Sequence, residues 1–369
     1  MLPANKKLIY ITNVKIPGED AQSIQIQCMA KAFHKVLGKN FVLISPKTKL
    51  NRDLKTEFLW IKLAVPQFLP RFLRYFFTIV FSFFALIFNS WFDKNNIVYS
   101  RDIGIVFFYK IFGFKAGYEI HKPFKTKLGH FLFKILKNKI KVVCISYALK
   151  DFVISKYKIS PKNILVAHDG VFLEDFLKIK EKKEKLKEKY LGLKKDDFVV
   201  LYSGSFQKGK GVELILEAAK NLKEIYFVLL GGKPEEIERL KKIASENVLF
   251  LGKKPHQEIP WYLKAADLLI LPFLKDLETI NYCSPLKLFE YLASGRPILA
   301  SFLGSIKEIL NENNAFLFDP ENKEEPIKKI KFIKENYHLA KEKALFIQKT
   351  LHEFDWLKRA RKILEFFVK

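Results

Sequence analysis

The sequence predicts an α/β protein made of two Rossmann-like domains, and three observations carry that prediction. From Lys7 onward, short β-branched or aromatic runs alternate with amphipathic stretches of ten to twenty residues, the mark of βαβ units and parallel sheets. The alternation begins afresh after a lysine-rich run at 178–189, KIKEKKEKLKEK. Finally, the chain has 369 residues, 49% of them hydrophobic, which fill two domains at about 150 residues each. With only three cysteines, this composition excludes a disordered chain and a disulfide-stapled miniprotein.

The first series offers the strands KLIYITNV, FVLISP, NIVYS, FKAGYEIH, KVVCIS and NILVAHD. Helical stretches are expected at 21–37, 68–92, 103–111, 128–136 and 148–157. The lysine run has few apolar positions and reads as a solvated helix or connector, with the domain boundary just before it. The second series supplies DFVVLYSGS, IYFVLLGG, NVLFLG, LLILPF, RPILAS and AFLFD. A long helical run over 324–369, with a second start near 352–354, has no strand after it and reads as a terminal brace. No fixed-period repeat is present, which excludes a solenoid. The expected domains are 1–175, 176–350 and a C-terminal helix, 351–369, packing back on the first.

The formal charge of +26 points to a polyanionic partner: nucleic acid, an anionic membrane face or phosphorylated substrates. Cys28, Cys144 and Cys283 are far apart and form no zinc or redox motif. The N-terminus breaks its apolar run with polar residues and has no cleavage signal, so the chain is expected to stay in a reducing cytoplasm.

The most informative segment is LYSGSFQKGKGVELILEAAK, 201–220: a strand, a glycine-rich turn, then a helix beginning near Gly211. Gly204, Gly209 and Lys210 match the frame GxxxxGK, but Gly211 stands where a P-loop needs Ser or Thr for magnesium, which disfavours a nucleotide hydrolase. The glycines still let backbone amides approach a phosphate, and Lys210 adds a full positive charge. The plainer alternative is an ordinary turn with a solvated lysine.

A second segment, CSPLKLFEYLASGRPILAS at 283–301, predicts a helix running from Pro285 to Ser294. Ser284 is its expected N-cap and Gly295 its C-cap. The N-terminal amides at Leu286 and Lys287 are placed to hold a phosphate oxygen, and Glu290, one turn on, to accept from sugar hydroxyls. On composition and spacing alone Glu290 reads better as part of a solvated helix face.

These two segments, about eighty residues apart, closely resemble family 4 of the retaining glycosyltransferases, in the reduced SPLKLFEY form of the motif. The resemblance implies the GT-B fold, two Rossmann-like domains facing a cleft. The donor would sit mostly on the C-terminal domain and the acceptor mostly on the N-terminal one. It assigns Lys210 to the donor diphosphate and Glu290 to the ribose. The family's usual arginine is Ser205 here, so one positive contact is missing or comes from elsewhere. The first of the family's two glutamates falls at Tyr282, leaving either Tyr282 or the backbone at Cys283 and Ser284 to line the sugar pocket. His121, at the end of FKAGYEIHK, matches a histidine near the reacting sugar, and HDGV at 168–171 matches the turn before the crossover. His168 and Asp169 otherwise read as turn formers. Arg101 and Asp102 end a strand, where a ligand contact and an internal salt bridge are equal alternatives. Gly18 is the one glycine of the first strand–helix turn, which the family uses for acceptor or donor. The 276–278 acidic loop is no metal motif, so neither a metal nor a cofactor is expected.

Residues 75–92 form an uncharged, aromatic run of eighteen, preceded by Arg71 and Arg74. It is borderline for a membrane span and would interrupt the first sheet, so it is either a buried helix or an interfacial one. The first hundred residues carry 14 Lys and Arg against 5 Asp and Glu, which favours attachment to an anionic inner membrane face. The sequence thus predicts a cytoplasmic-face, retaining glycosyltransferase using a nucleoside diphosphate sugar and a glycan or lipid-linked acceptor in surface polysaccharide or glycoconjugate assembly. The alternatives are a nucleotide-sugar epimerase or hydrolase, and a non-catalytic binding protein. No nucleic-acid module is recognisable.

Overall fold

The computed structural model describes residues 6–51, 55–66 and 68–368, without the side chain of Arg71; Met1–Asn5, part of the segment read for a leader, lies outside this set. The chain divides into one unit of Met1–Asp169 with Trp356–Lys369, and a second of Gly170–Asp355.

Among the described residues the first unit holds seven parallel strands: β1 Leu8–Ile11, β2 Phe41–Pro46, β3 Leu59–Leu63, β4 Ile97–Ser100, β5 Lys115–Ile120, β6 Lys141–Cys144 and β7 Ile164–Val166. Their order is β3-β2-β1-β4-β5-β6-β7. The second unit holds β8 Phe198–Gly204, β9 Ile225–Gly231, β10 Val248–Gly252, β11 Leu268–Leu271, β12 Ile298–Ser301 and β13 Phe316–Phe318, ordered β10-β9-β8-β11-β12-β13. Most strands read as near-continuous apolar runs because helices cover both faces of each sheet. In each sheet the winding reverses beside the first strand, between β1 and β4 and between β8 and β11. In open parallel sheets the crevice beyond such a switch point is where ligands sit.

The expected strands are all present. β3 is an addition, since LWIKL lies on the edge with a half-exposed pattern that lacks the apolar signature of its neighbours. The helix expected over 68–92 is Arg71–Phe88, started by Pro70 and ended at Asn89. No helix among the described residues is long and apolar enough to cross a membrane.

Two expectations need correction. The lysine run is not simply solvated: Lys187 is buried, pairs with Asp267 at 2.9 Å and donates to the Lys195 carbonyl at 3.1 Å. Nor is the helical run over 324–369 unbroken up to its expected second start: it splits at Asn336 into helices Glu324–Glu335 and Tyr337–Gln348, while the second start near 352–354 is present as a short turn at Leu351–Phe354 leading into helix Trp356–Val368. The last helix belongs to the first unit, where it packs on helix Ala21–Leu37 and sets Phe367 against Gly117 and 5.5 Å from the Tyr99 ring.

Candidate functional site

The switch point of the second unit is built by three elements. β8 ends at Gly204 with φ +142°, and a Cβ there would collide with the ammonium of Lys287. Helix Val212–Asn221 starts at Gly211, whose left-handed backbone lies so close to the Pro272 carbonyl that no side chain fits. Helix Leu286–Ser294 supplies the third element. Ser284 is not its N-cap: Pro285, in extended conformation, occupies that position and no side chain caps the helix. The helix starts one residue later than expected, so the amides of Leu286 and Lys287 fall in its first turn, where backbone N–H groups have no partner within the helix.

Two cations converge here. The Lys287 ammonium lies 3.9 Å over the Tyr202 ring and 5.5 Å from that of Phe273; the Lys210 ammonium lies 4.7 Å from the Phe273 ring. The Lys287 ammonium is shut off from solvent and has no hydrogen-bond partner. Burial, reinforced by the charge of Lys210, drives its pKa well below the ordinary lysine value, against a smaller opposing pull from Glu290. Burial also lowers Lys210. Removing an ammonium from water without a partner is strongly unfavourable. An anion with several oxygens would satisfy both lysines and the first-turn amides together. Glu290 faces His256, with Nε2 to Oε1 at 2.7 Å; burial lowers the His256 pKa, but the carboxylate's hydrogen bond and charge more than offset it, so the net shift is upward.

The first unit presents a different cluster at the carboxyl ends of β5 and β7. Glu119 is fully buried and accepts from Tyr99, from Gln25 at 2.7 Å and from His121 at 2.5 Å. Arg359, from the C-terminal helix, lies 3.2 Å from Glu119 and 3.7 Å from Asp169, and donates to the carbonyls of Ala167 and His168. Burial would raise the Glu119 carboxyl, but the Arg359 guanidinium and the His121 bond hold it far below the usual carboxylate range. Burial lowers His121, with Arg101 adding to it. A neutral His121 that donates from Nε2 to an ionised carboxylate keeps its Nδ1 lone pair as an acceptor. Arg101 donates to Gln25 Oε1 at 2.8 Å, while its own Nε is buried without a partner. Beside it, a cavity of about 270 Å³ opens at the switch point, lined by Asn13, Lys15, Gln22, Arg74 and Asp102.

Residues 182–350 match the family model described as Glycosyl transferases group 1. The matched segment lies within the second unit. The chain is 28% identical over 264 residues to an uncharacterized glycosyltransferase of Methanocaldococcus jannaschii, covering 68% of this chain and 64% of that protein. It is 29% identical over 191 residues to the UDP-Gal:alpha-D-GlcNAc-diphosphoundecaprenol alpha-1,3-galactosyltransferase of Escherichia coli, covering 48% of this chain and 47% of that one. The chain thus spans about half to two thirds of these relatives. Among solved structures, a glycosyltransferase from Rickettsia africae aligns over 98% of both chains with TM-score 0.77 at 22% identity. HepE of Anabaena, in complex with UDP and glucose, aligns over 98% of both chains with TM-score 0.72 at 16% identity. At these identities the likeness establishes the fold, which is GT-B.

Within the matched segment, Gly204, Lys210, Leu286 and Lys287 come together, with Ser205 next to Gly204. Glu290 stands one turn further along, against His256. Tyr282 lies in the turn before the helix, its amide on the Thr279 carbonyl at 2.9 Å. Sequence reasoning placed Lys287 by its backbone amide and missed its side chain. The signal was the absence of arginine at Ser205 beside a lysine in SPLKLFEY, since the Lys287 ammonium lies against Gly204, the residue before Ser205. Outside the matched segment, His121 and Arg101 sit at the carboxyl ends of β5 and β4. Gly18 lies in the turn after β1, packed on Ser23. Asp169 is no simple turn former but a buried partner of Arg359.

Proposed function

We propose that the chain transfers a hexose from a nucleoside diphosphate sugar to a hydroxyl of a glycan or lipid-linked acceptor, with retention of configuration and without a metal ion. Its product would enter surface polysaccharide or glycoconjugate assembly at the inner face of the cytoplasmic membrane. The observation that carries this reading is the buried, partnerless Lys287 ammonium beside Lys210 and an uncapped helix N-terminus.

When the glycosidic bond to the donor breaks, negative charge grows on the diphosphate. Lys210, Lys287 and the amides of Leu286 and Lys287 stand ready to stabilise it, with no reorganisation at the moment of reaction. Glu290 accepts from the ribose hydroxyls after exchanging His256 for them. Tyr282 and Ser284 border the sugar. His121, held by Glu119, offers Nδ1 to a hydroxyl of the transferred sugar, and the cavity beside Arg101 and the Gly18 turn receives the acceptor. Retention then follows from same-face attack by the acceptor hydroxyl.

The UDP-Gal-dependent galactosyltransferase and UDP-bound HepE among the similar proteins make UDP-sugars the first probes. In a thermal-shift screen, a true donor raises Tm progressively once its concentration exceeds its dissociation constant. Lys210→Ala should abolish that shift and cut transfer by about a hundredfold or more with the fold intact. Wild-type transfer in Lys210→Ala would refute the assignment, and rapid donor conversion without any acceptor would favour an epimerase or hydrolase.

A further inference from the structure

Helix Arg71–Phe88 is amphipathic in an unusual sense. Its sheet-facing side carries two polar residues: Thr78 donates to Asn13 Oδ1 at 3.0 Å, and Ser82 shares a hydrogen with Tyr109 Oη at 2.8 Å, both fully buried. Its outward side carries Phe72, Phe76, Phe84, Ile87 and Phe88, of which Phe72 is 70% and Phe88 81% exposed. Water-facing helix surfaces are ordinarily the polar ones, so this arrangement needs an apolar environment outside the fold.

The apolar surface does not stop at this helix. Phe83 packs on Phe108 and Phe112, with ring centroids 5.6 and 4.7 Å apart, which joins it to helix Ile103–Ile111. That helix packs in turn on helix Lys127–Leu136. Ile111, Phe112, Leu128, Phe131 and Ile135 are exposed along the two of them. The charges around this surface are one-sided. Lys94, Lys115, Lys122, Lys125, Lys127 and Lys134 are exposed between residues 89 and 136, against Asp93 alone among the acids. Asp102 accepts from the Asn13 amide at 3.2 Å, and Glu119 is buried.

We propose that these three helices together form a docking face for an anionic lipid bilayer, with the aromatic side chains in the acyl boundary and the lysines on headgroup phosphates. This extends the membrane part of the proposed function from one segment to three helices, and it stands independently of the diphosphate cradle. Paired basic residues and inserted aromatic rings reinforce each other, so neither suffices alone for stable attachment.

The test is co-sedimentation of the full chain, without donor, on vesicles of phosphatidylcholine alone or mixed with phosphatidylglycerol. Binding is expected to the mixed vesicles only, and to weaken with salt. Phe76→Ser with Phe88→Ser should abolish it. Phe131→Ser, and separately Lys127→Glu with Lys134→Glu, should each lower it by about tenfold, because helix Lys127–Leu136 belongs to the face. Lys287→Met should bind as the wild type does, which separates this result from the donor reading. No binding to mixed vesicles, equal binding to both kinds, or full binding by the variants of helix Lys127–Leu136 would overturn the proposal. So would a concentration-dependent dimer that Phe76→Ser with Phe88→Ser dissolves, since that would make the face a contact between copies.

Discussion

Two buried cations, Arg359 in the first unit and Lys287 in the second, are treated in opposite ways. Arg359 lies among Glu119, Asp169 and two backbone carbonyls, and its pKa is raised above the ordinary value because those carboxylates outweigh its burial. Lys287 lies against two aromatic rings and a glycine, without a hydrogen-bond partner, and its pKa is driven down. A paired buried charge holds a fold together, whereas an unpaired one sacrifices stability for something the fold does not contain. That contrast separates structural charge from functional charge in this molecule.

The largest expected effect follows from breaking the paired side. Arg359→Met leaves Glu119 and Asp169 buried without their cation, and it should destabilise the first unit by about 3–5 kcal/mol, read as a lowered urea midpoint. A change below 1 kcal/mol would mean the cluster is not the anchor of the C-terminal helix. The unpaired side should behave in reverse. Lys287→Met should leave the urea midpoint unchanged or higher, since it removes an uncompensated charge, yet reduce transfer by about a hundred- to a thousandfold. A variant that loses stability but keeps its kcat would invert the comparison.

A smaller effect concerns Glu290. On the proposed reading, donor ribose displaces His256 from Glu290, and the bond being broken is stronger while His256 is protonated. Because its pKa is raised, the pair supports the fold below the ordinary histidine value, and that support is lost as pH rises through the raised one. Donor affinity in the wild type should therefore increase with pH across that window, by a few-fold to about tenfold, and the trend should flatten in His256→Ala. Titration calorimetry at several pH values checks it; an unchanged slope in the variant would remove His256 from the site. At the low end, Lys178→Ala breaks the exposed Lys178–Asp175 pair at 2.8 Å and should shift stability by at most about 0.5 kcal/mol.

The same contrast marks what the sequence can disclose. Elements with local signatures were legible. The apolar runs of β8 to β13, the helix start near Gly211 and the C-cap at Gly295 all follow from nearest-neighbour chemistry. The edge strand Leu59–Leu63 escaped because it lacks a two-sided apolar run. What depends on distant partners was hidden: Lys187 looked solvated because Asp267, eighty positions away, gives no local sign, and Asp169 looked like a turn residue because Arg359 lies far along the chain. Of the candidate site, the helix-start backbone at Leu286 and Lys287 and the position of Lys210 could be read from motifs. The Lys287 ammonium could not, because burial without a partner is a property of the packed fold.

The central claim, that Lys287 waits for a diphosphate, can be tested through its proton. Folding holds this ammonium's pKa low, and an anion seated on it should restore the charged form. Calorimetric binding of UDP at a pH between the lowered value and the ordinary 10.5, run in two buffers of different ionisation enthalpy, measures that proton directly. The account predicts net proton uptake by the wild type, reduced in Lys287→Met. Binding with no uptake in the wild type, or the same uptake in the variant, would contradict it.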